Sequence, residues 1–393
     1  MFRARCQNMS SLPSIPLEGD SIFQLKDGKI ISYFFRDNSN LILYDQNSFK
    51  KLIEIELGKI IKCEKIKFKY DKENLKKEFD NYYYHFENES EEEKEKRLER
   101  YCIRQLLSKG IISIIQQING NLLVAFSQLI FDINILENSF NYKVYQKEEN
   151  ILSINELSDN KILIITGDNI QVLIKENNNY ITKEKYLIDE KWKIEPQSKK
   201  HRFYGKFKQY FDSYILPKER LLLNSFSTEL SYHGGCGTHP PQEFSHSKII
   251  FIDLKNCKEI KSTNEFNTDA KSIILDNYII IQEYNICIYD INTLDLIKKI
   301  KFNYNIYLYK YIENYLIGIS TYEKDNDLLV FKVEDNNLIK TCEIKTKLLF
   351  EERHGINGYA VRGYNNKILY TLKDKRVILL CHEKMYVLTL NID

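Results

Sequence analysis

The chain has 393 residues, 43% hydrophobic and 13% aromatic, with only 6 Pro and 14 Gly, which excludes a disordered or linker-like composition. Lys and Arg number 57 against 55 Asp and Glu, a net charge of +2, and this removes the default argument for a protein that tracks nucleic-acid phosphates. No apolar run is long enough to span a membrane, and MFRARCQNMSSLPSIPLEG lacks the apolar core of a secretory signal, so the expectation is a cytoplasmic chain. The eight cysteines are scattered without a CxxC pair and read as small buried hydrophobes in a reducing compartment.

Paired β-rich runs recur along the chain. In order they are GKIISYFF (28–35) with LILYD (41–45), NLLVAFS (121–127) with LIFDI (129–133), and KILIITG (161–167) with IQVLIK (170–175). RLLLNSF (220–226) then pairs with IIFIDL (249–254), and NYIIIQEY (277–284) with ICIYDI (286–291). NYLIGIS (314–320) with LLVFKV (328–333) and RVILLCH (376–382) with MYVLTL (385–390) complete the series. Each run is rich in Ile, Leu, Val and aromatics and is bounded by Asn, Asp or Gly, as β-hairpins are. Many are apolar on both faces, which predicts strands packed between two layers.

The pairs align on the last residue of LILYD. Its equivalents are Asp45, Asp132, Ile174, Asp253, Asp290, Lys332 and Thr389, at intervals of 87, 42, 79, 37, 42 and 57. Three intervals match a blade period of about 40–45 residues, and the longer ones contain insertions. Tyr44-Asp45, Phe131-Asp132, Ile252-Asp253 and Tyr289-Asp290 resemble the aromatic-Asp step that ends the third strand of a WD repeat. The chain therefore resembles a degenerate WD-repeat β-propeller. The Gly-His element is missing, and the only tryptophan, Trp192, lies outside the repeat, so the family's hydrogen-bonded tetrad has no counterpart. The resemblance implies one all-β domain over 1–393 with about seven blades, six or eight being the alternatives. The last blade runs out after MYVLTL, which predicts that its outer strand comes from residues 1–17.

Three insertions interrupt the repeat. The first, 58–110, falls between the first and second blades and reads as helical. Leu75, Phe79, Tyr82, Tyr83 and Phe86 share one helix face, and Ser90 with Glu93 forms a capping box before a second helix. The second, 189–248, makes the fourth blade rich in insertions, and the third is a loop over 345–363.

Two segments carry candidate chemistry. SYHGGCGTHPPQEFSH sets His233, Cys236, His239 and His246 within fourteen residues, which could supply a tetrahedral zinc site, although its Gly and Pro content equally describes a flexible loop. SKKHRFYGKFKQYF (198–211) sets Lys199, Lys200, Arg202, Lys206 and Lys208 among aromatics, a pattern suited to a phosphate, an RNA or an anionic membrane surface. The competing reading is a solvated edge whose aromatics pack inward. Tyr82, Tyr83, Tyr84 and Phe86 put four aromatics within five residues, more than one helix face can hide, and suit a protein partner. No catalytic or cofactor-binding residue stands out. The expected function is a non-enzymatic scaffold for other proteins. The alternatives are an anionic-surface binder acting through 198–211 and an enzyme with a channel-centred or metal-assisted site.

Overall fold

The computed structural model describes residues 14–15, 17–19, 21–33, 40–63, 90, 92–98, 101, 111–126, 128–137, 139–147, 149–158, 160–177, 179–194, 207–231, 242–264, 266, 270–301, 306–320, 327–345, 353–354, 360–361, 367–381 and 384–390. The fold is a seven-bladed β-propeller, each blade a four-stranded antiparallel sheet. The chain divides into two compact units, Leu17–Ile188 with three sheets and Met1–Pro16 plus Asp189–Asp393 with four.

An outer strand, β1 (Ser14–Ile15), comes first and belongs to the last sheet. Blade 1 then holds β2 (Ser21–Gln24), β3 (Ile30–Tyr33), β4 (Asn40–Tyr44) and β5 (Lys51–Glu56), followed by helix α1 (Leu57–Cys63). Blade 2 holds β6 (Ser113–Gln116), β7 (Leu122–Ala125), β8 (Leu129–Ile135) and β9 (Phe140–Gln146). Blade 3 holds β10 (Ile151–Ser158), β11 (Lys161–Thr166), β12 (Asn169–Glu176) and β13 (Asn179–Leu187). In the second unit, blade 4 holds β14 (Phe207–Leu216), β15 (Arg220–Ser231), β16 (Gln242–Asp253) and β17 (Lys258–Ser262). Blade 5 holds β18 (Lys271–Ile274), β19 (Tyr278–Gln282), β20 (Asn285–Asp290) and β21 (Leu296–Lys301). Blade 6 holds β22 (Ile306–Lys310), β23 (Tyr315–Ser320), β24 (Asp327–Glu334) and β25 (Asn337–Lys345). A two-stranded pair, β26 (Arg353–His354) and β27 (Ala360–Val361), precedes blade 7, whose β28 (Lys367–Thr371), β29 (Arg376–Cys381) and β30 (Lys384–Thr389) are completed by β1. Ser14 pairs with Tyr386 and Ile15 with Met385, so the N-terminal segment closes the last blade, as the missing fourth strand requires.

The seven apolar pairs read from the sequence are the second and third strands of the seven sheets. Their two-sided burial explains why they stood out. On β7, Leu122 and Val124 join a core shared with blade 1, while Leu123 and Ala125 join a core shared with blade 3. In the second unit equivalent layers lie between blades 4 and 5, 5 and 6, and 6 and 7. The first residues of the 58–110 insertion are helical and belong to this packing: Leu57, Ile60 and Ile61 of α1 are buried among Leu41, Leu43 and Ile114. The capping box is also present. Ser90 Oγ accepts from Glu93 N at 3.3 Å and Glu93 Oε2 from Ser90 N at 3.0 Å, ahead of helical residues 92–98.

The aspartates of the repeat do two different jobs. Asp45, Asp253 and Asp290 each open a turn into the fourth strand and accept backbone N–H bonds from Asn47 and Ser48, from Lys255, and from Asn292 and Thr293. The Ser48 N–H is the largest of the influences that hold the Asp45 carboxyl below its ordinary value. Within each of these turns the backbone then becomes left-handed, at Phe49 (φ 53°), Cys257 (φ 53°) and Leu294 (φ 65°). A left-handed non-glycine residue costs about 1–2 kcal/mol, partly offset by the extra unfolded-state entropy of about 0.4–1 kcal/mol that glycine brings. Cys257→Gly should therefore be neutral or stabilise by up to about 1 kcal/mol. Leu294→Gly removes a side chain only 1% exposed and should destabilise by about 2–4 kcal/mol. Urea midpoints shifting the same way in both variants would refute this division. Asp132, by contrast, lies within β8 and is buried, receiving Asn121 Nδ2 at 2.7 Å and Lys175 Nζ of the next blade at 2.5 Å.

Candidate functional site

In an antiparallel sheet, first-to-second and third-to-fourth turns lie at one end, and second-to-third hairpins lie at the other. Here every turn of the first kind is tight, the longest joining β4 to β5 across 45–50. The links between sheets leave from the opposite end, together with the second-to-third hairpins. Within each unit, one end of the sheets has only tight turns, and the longer connections start and finish at the other.

The compact end is cross-braced from blade to blade. Lys26 Nζ donates to Gln117 O at 3.0 Å, and Ile118 N to Glu156 Oε1 at 2.8 Å. The Arg220 guanidinium donates to Ile291 O and Asn292 O at 2.7 and 2.8 Å, and Tyr311 OH donates to Lys375 O at 2.9 Å. Side chains that seize the neighbouring turn do here what the absent tetrad does within a blade.

At the insertion end blade 4 departs from the others. β14, β15 and β16 run 10, 12 and 12 residues, whereas the first three strands of blade 5 run 4, 5 and 6. Pairing is continuous from Arg220↔Asp253 to Ser231↔Gln242, so a three-stranded ribbon carries the 232–241 hairpin at its tip. Phe207 pairs with Glu229, so the last residues of the basic-aromatic run form the first strand of that ribbon. Two segments that looked unrelated in sequence therefore meet on one ribbon.

From Phe207 onward the run 198–211 is the first strand of blade 4, and Phe211 is 2% exposed. His246 was expected in a loop with His233, Cys236 and His239; it is a buried residue of β16, paired with Ser227. Lys208 lies in β14. His233, Cys236, His239, Lys199, Lys200, Arg202, Lys206, Tyr82, Tyr83, Tyr84 and Phe86 lie outside the described residues. Among the described residues no three His, Cys, Asp or Glu side chains converge on a metal position, and no helix is long and apolar enough to cross a membrane.

Sequence reasoning missed the aromatics that blades 5 and 6 present at the same end. Tyr284 occupies the β19–β20 turn at 72% exposure, and Tyr307, near the start of β22, is 58% exposed. Gln282 pins the two blades together there: its Nε2 donates to Ile306 O, and its Oε1 accepts from Leu308 N at 2.9 Å. Lys271 Nζ lies 3.7 Å from the Tyr309 ring centroid, and burial pushes the Tyr309 hydroxyl up to about 12. Tyr284 sits between Glu283 and Asn285 in a turn of a strongly apolar hairpin, a position where an aromatic has no packing role, and that was the available signal.

No family model matches the chain, and no curated protein matches it. Among solved structures, a chain in the crystal structure of a mitotic checkpoint complex is similar at TM-score 0.51 and 9% identity, over 99% of this chain and 91% of that one. The WD40 domain of Neurospora crassa Pan2 is similar at TM-score 0.51 and 7% identity, over 98% and 91%. At such identities the likeness shows the fold alone, a seven-bladed β-propeller like that of WD40 domains.

Proposed function

We propose that this chain is a non-enzymatic protein-interaction scaffold that docks partners at the insertion-bearing end of its blades. The observation that carries the reading is the segregation of connections within each unit: braced, tight turns at one end of the sheets, the longer connections at the other. Loops longer than about 12–15 residues within a compact domain are usually functional or disordered. Tyr284 and Tyr307 on this end belong to a residue type that dominates interface hot spots. The WD40 domains it resembles support the reading by analogy of fold, and the aromatic cluster Tyr82, Tyr83, Tyr84 and Phe86 belongs to an insertion rooted at the same end.

The test compares the full chain with two variants in pull-downs from native extract. One replaces 70–109 by a short Gly/Ser linker; the other carries Ile118→Ser and Leu136→Ser, both exposed at the compact end. Loss of the same partners from the first variant alone is expected. Retention of every partner by the linker variant, or their loss from the compact-end variant, overturns the reading. Reversing Lys199, Lys200, Arg202 and Lys206 to Glu in a third variant addresses the phosphate or anionic-membrane alternative, since only that alternative requires loss of binding to anionic vesicles.

A further inference from the structure

β14 and β15 carry a polar pair at the base of the blade 4 ribbon. Asp212 and Asn224 are Cα partners, so their side chains leave the same face of the sheet with Cβ atoms about 4.5–5.5 Å apart. That face packs on blade 5, because Leu222 and Ile249, which share it by alternation, join the core containing Ala270 and Cys287. Asn224 is 5% exposed; its Nδ2 donates to Ala270 O at 2.7 Å, and its Oδ1 has no partner. Two residues along the same face of β18, Ser272 is 4% exposed and its Oγ is also without a partner. The Asp212 carboxyl already accepts Tyr214 OH and Ser213 N, both at 2.8 Å.

Among the described residues no donor reaches Asn224 Oδ1, and no cation acts on the Asp212 carboxyl. Among the described residues, the polar and titratable groups of this layer are Tyr214 on the same strand as Asp212, Asn224 on β15, Ser247 on β16, Ser272 on β18, and Cys287 and Tyr289 on β20. Ser247 Oγ is engaged by Ala270 N at 2.9 Å. The nearby cation, Lys271, leaves the other face of β18 and donates to Leu308 O. A carboxylate here would sit against an unsatisfied amide oxygen, and both would bear the desolvation cost of buried acceptors. A proton on the carboxyl removes the charge and supplies the missing donor at once.

We infer that Asp212 is a neutral carboxylic acid in the folded chain and donates its proton to Asn224 Oδ1, making the base of the ribbon responsive to pH. Asp212 retains some accessible area, but it is densely surrounded by protein atoms, and burial pushes its carboxyl above the ordinary 3.8, outweighing the bonds from Tyr214 and Ser213. The sign follows from linkage. A carboxyl raised in the folded state contributes stability that is fully present below its unfolded value and is lost as pH rises through its folded value. Ionisation would loosen the rung from which the 232–241 hairpin and the end of the 198–211 run project.

The experiment uses the full chain labelled with 13Cγ-aspartate, with Asp212 assigned through Asp212→Asn. The Asp212 carbon is expected to titrate above the other aspartates. The melting temperatures of wild type and Asp212→Asn, whose amide mimics the protonated acid, should coincide near about pH 4 and diverge in favour of Asn as pH rises. A carboxylate shift already complete near about pH 4 overturns the inference and needs no variant to fold. So does a melting temperature raised by CaCl2 in wild type and not in Asp212→Asn, because the charge would then be met by a metal ion.

Discussion

Lys175→Met should destabilise the protein by about 3–5 kcal/mol in urea unfolding, more than any other single substitution at its surface charges. The Lys175–Asp132 pair is held at 2.5 Å with side chains 15% and 3% exposed, and it joins blade 2 to blade 3. Removing the ammonium leaves a carboxylate with only the Asn121 amide, at 2.7 Å, to replace water. Around it lie Tyr145 and Tyr180, edge to face at 4.9 Å, and burial, with the Asp132 charge nearby, pushes the Tyr145 hydroxyl up to about 12. The reciprocal change, Asp132→Asn, should cost less. Lys175 lies nearer the surface and can swing its head group outward, while the amide introduced in place of the carboxylate would keep a polar partner in Asn121. The double variant Asp132→Asn/Lys175→Met should recover most of the loss, because a buried pair returns little net stability once desolvation is counted. A single Lys175→Met variant within about 1 kcal/mol of wild type would mean that water reaches Asp132, and the dry-bridge account would fail.

The contrast with Asp45 shows why the repeat was legible and its chemistry was not. The alignment of Asp45, Asp132, Asp253 and Asp290 found the third strand of the blade, since Asp132 lies at its middle, Asp253 and Asp290 at its last residue and Asp45 just past its end. Position along the chain could not distinguish an aspartate that caps its own turn from one that bonds the next blade. That difference depends on Lys175, 43 residues away. The first and fourth strands were illegible for a different reason. KLIEIE of β5 and LIKKIK of β21 bury one face or less, and four-residue strands such as SIFQ and SIIQ are too short to show a period. The start of β14 was not legible because charged and aromatic residues in one run satisfy a surface pattern and an inward-packed edge equally, and only the pairing of Lys208 with Thr228 and of Phe211 with Ser225 makes 207–211 a strand. His246, read with His233, Cys236 and His239 as part of one loop, is a residue of β16.

Deleting residues 1–16 should make the chain aggregate and lower its melting temperature. The reason is the seam in blade 7. β28, β29 and β30 pair in order, and the outer edge of β30 is covered only by Ser14 and Ile15 among the described residues. Without them the strand KMYVLT presents unpaired N–H and C=O groups above Met385, Leu388 and Leu390, which are core residues at 2%, 3% and 6% exposure. An open edge of that kind recruits other chains. Pro13 and Pro16 flank the covering strand in sequence and have no N–H to donate to a ladder. Light scattering and thermal unfolding of the truncated chain measure both consequences, and a peptide spanning 1–17 added in trans should reverse both by pairing with β30. Ile15→Pro tests the same seam without deletion, since it removes one backbone donor opposite Met385. A truncated chain that does not aggregate and melts with wild type would show that Ser14 and Ile15 lie on the blade without holding it.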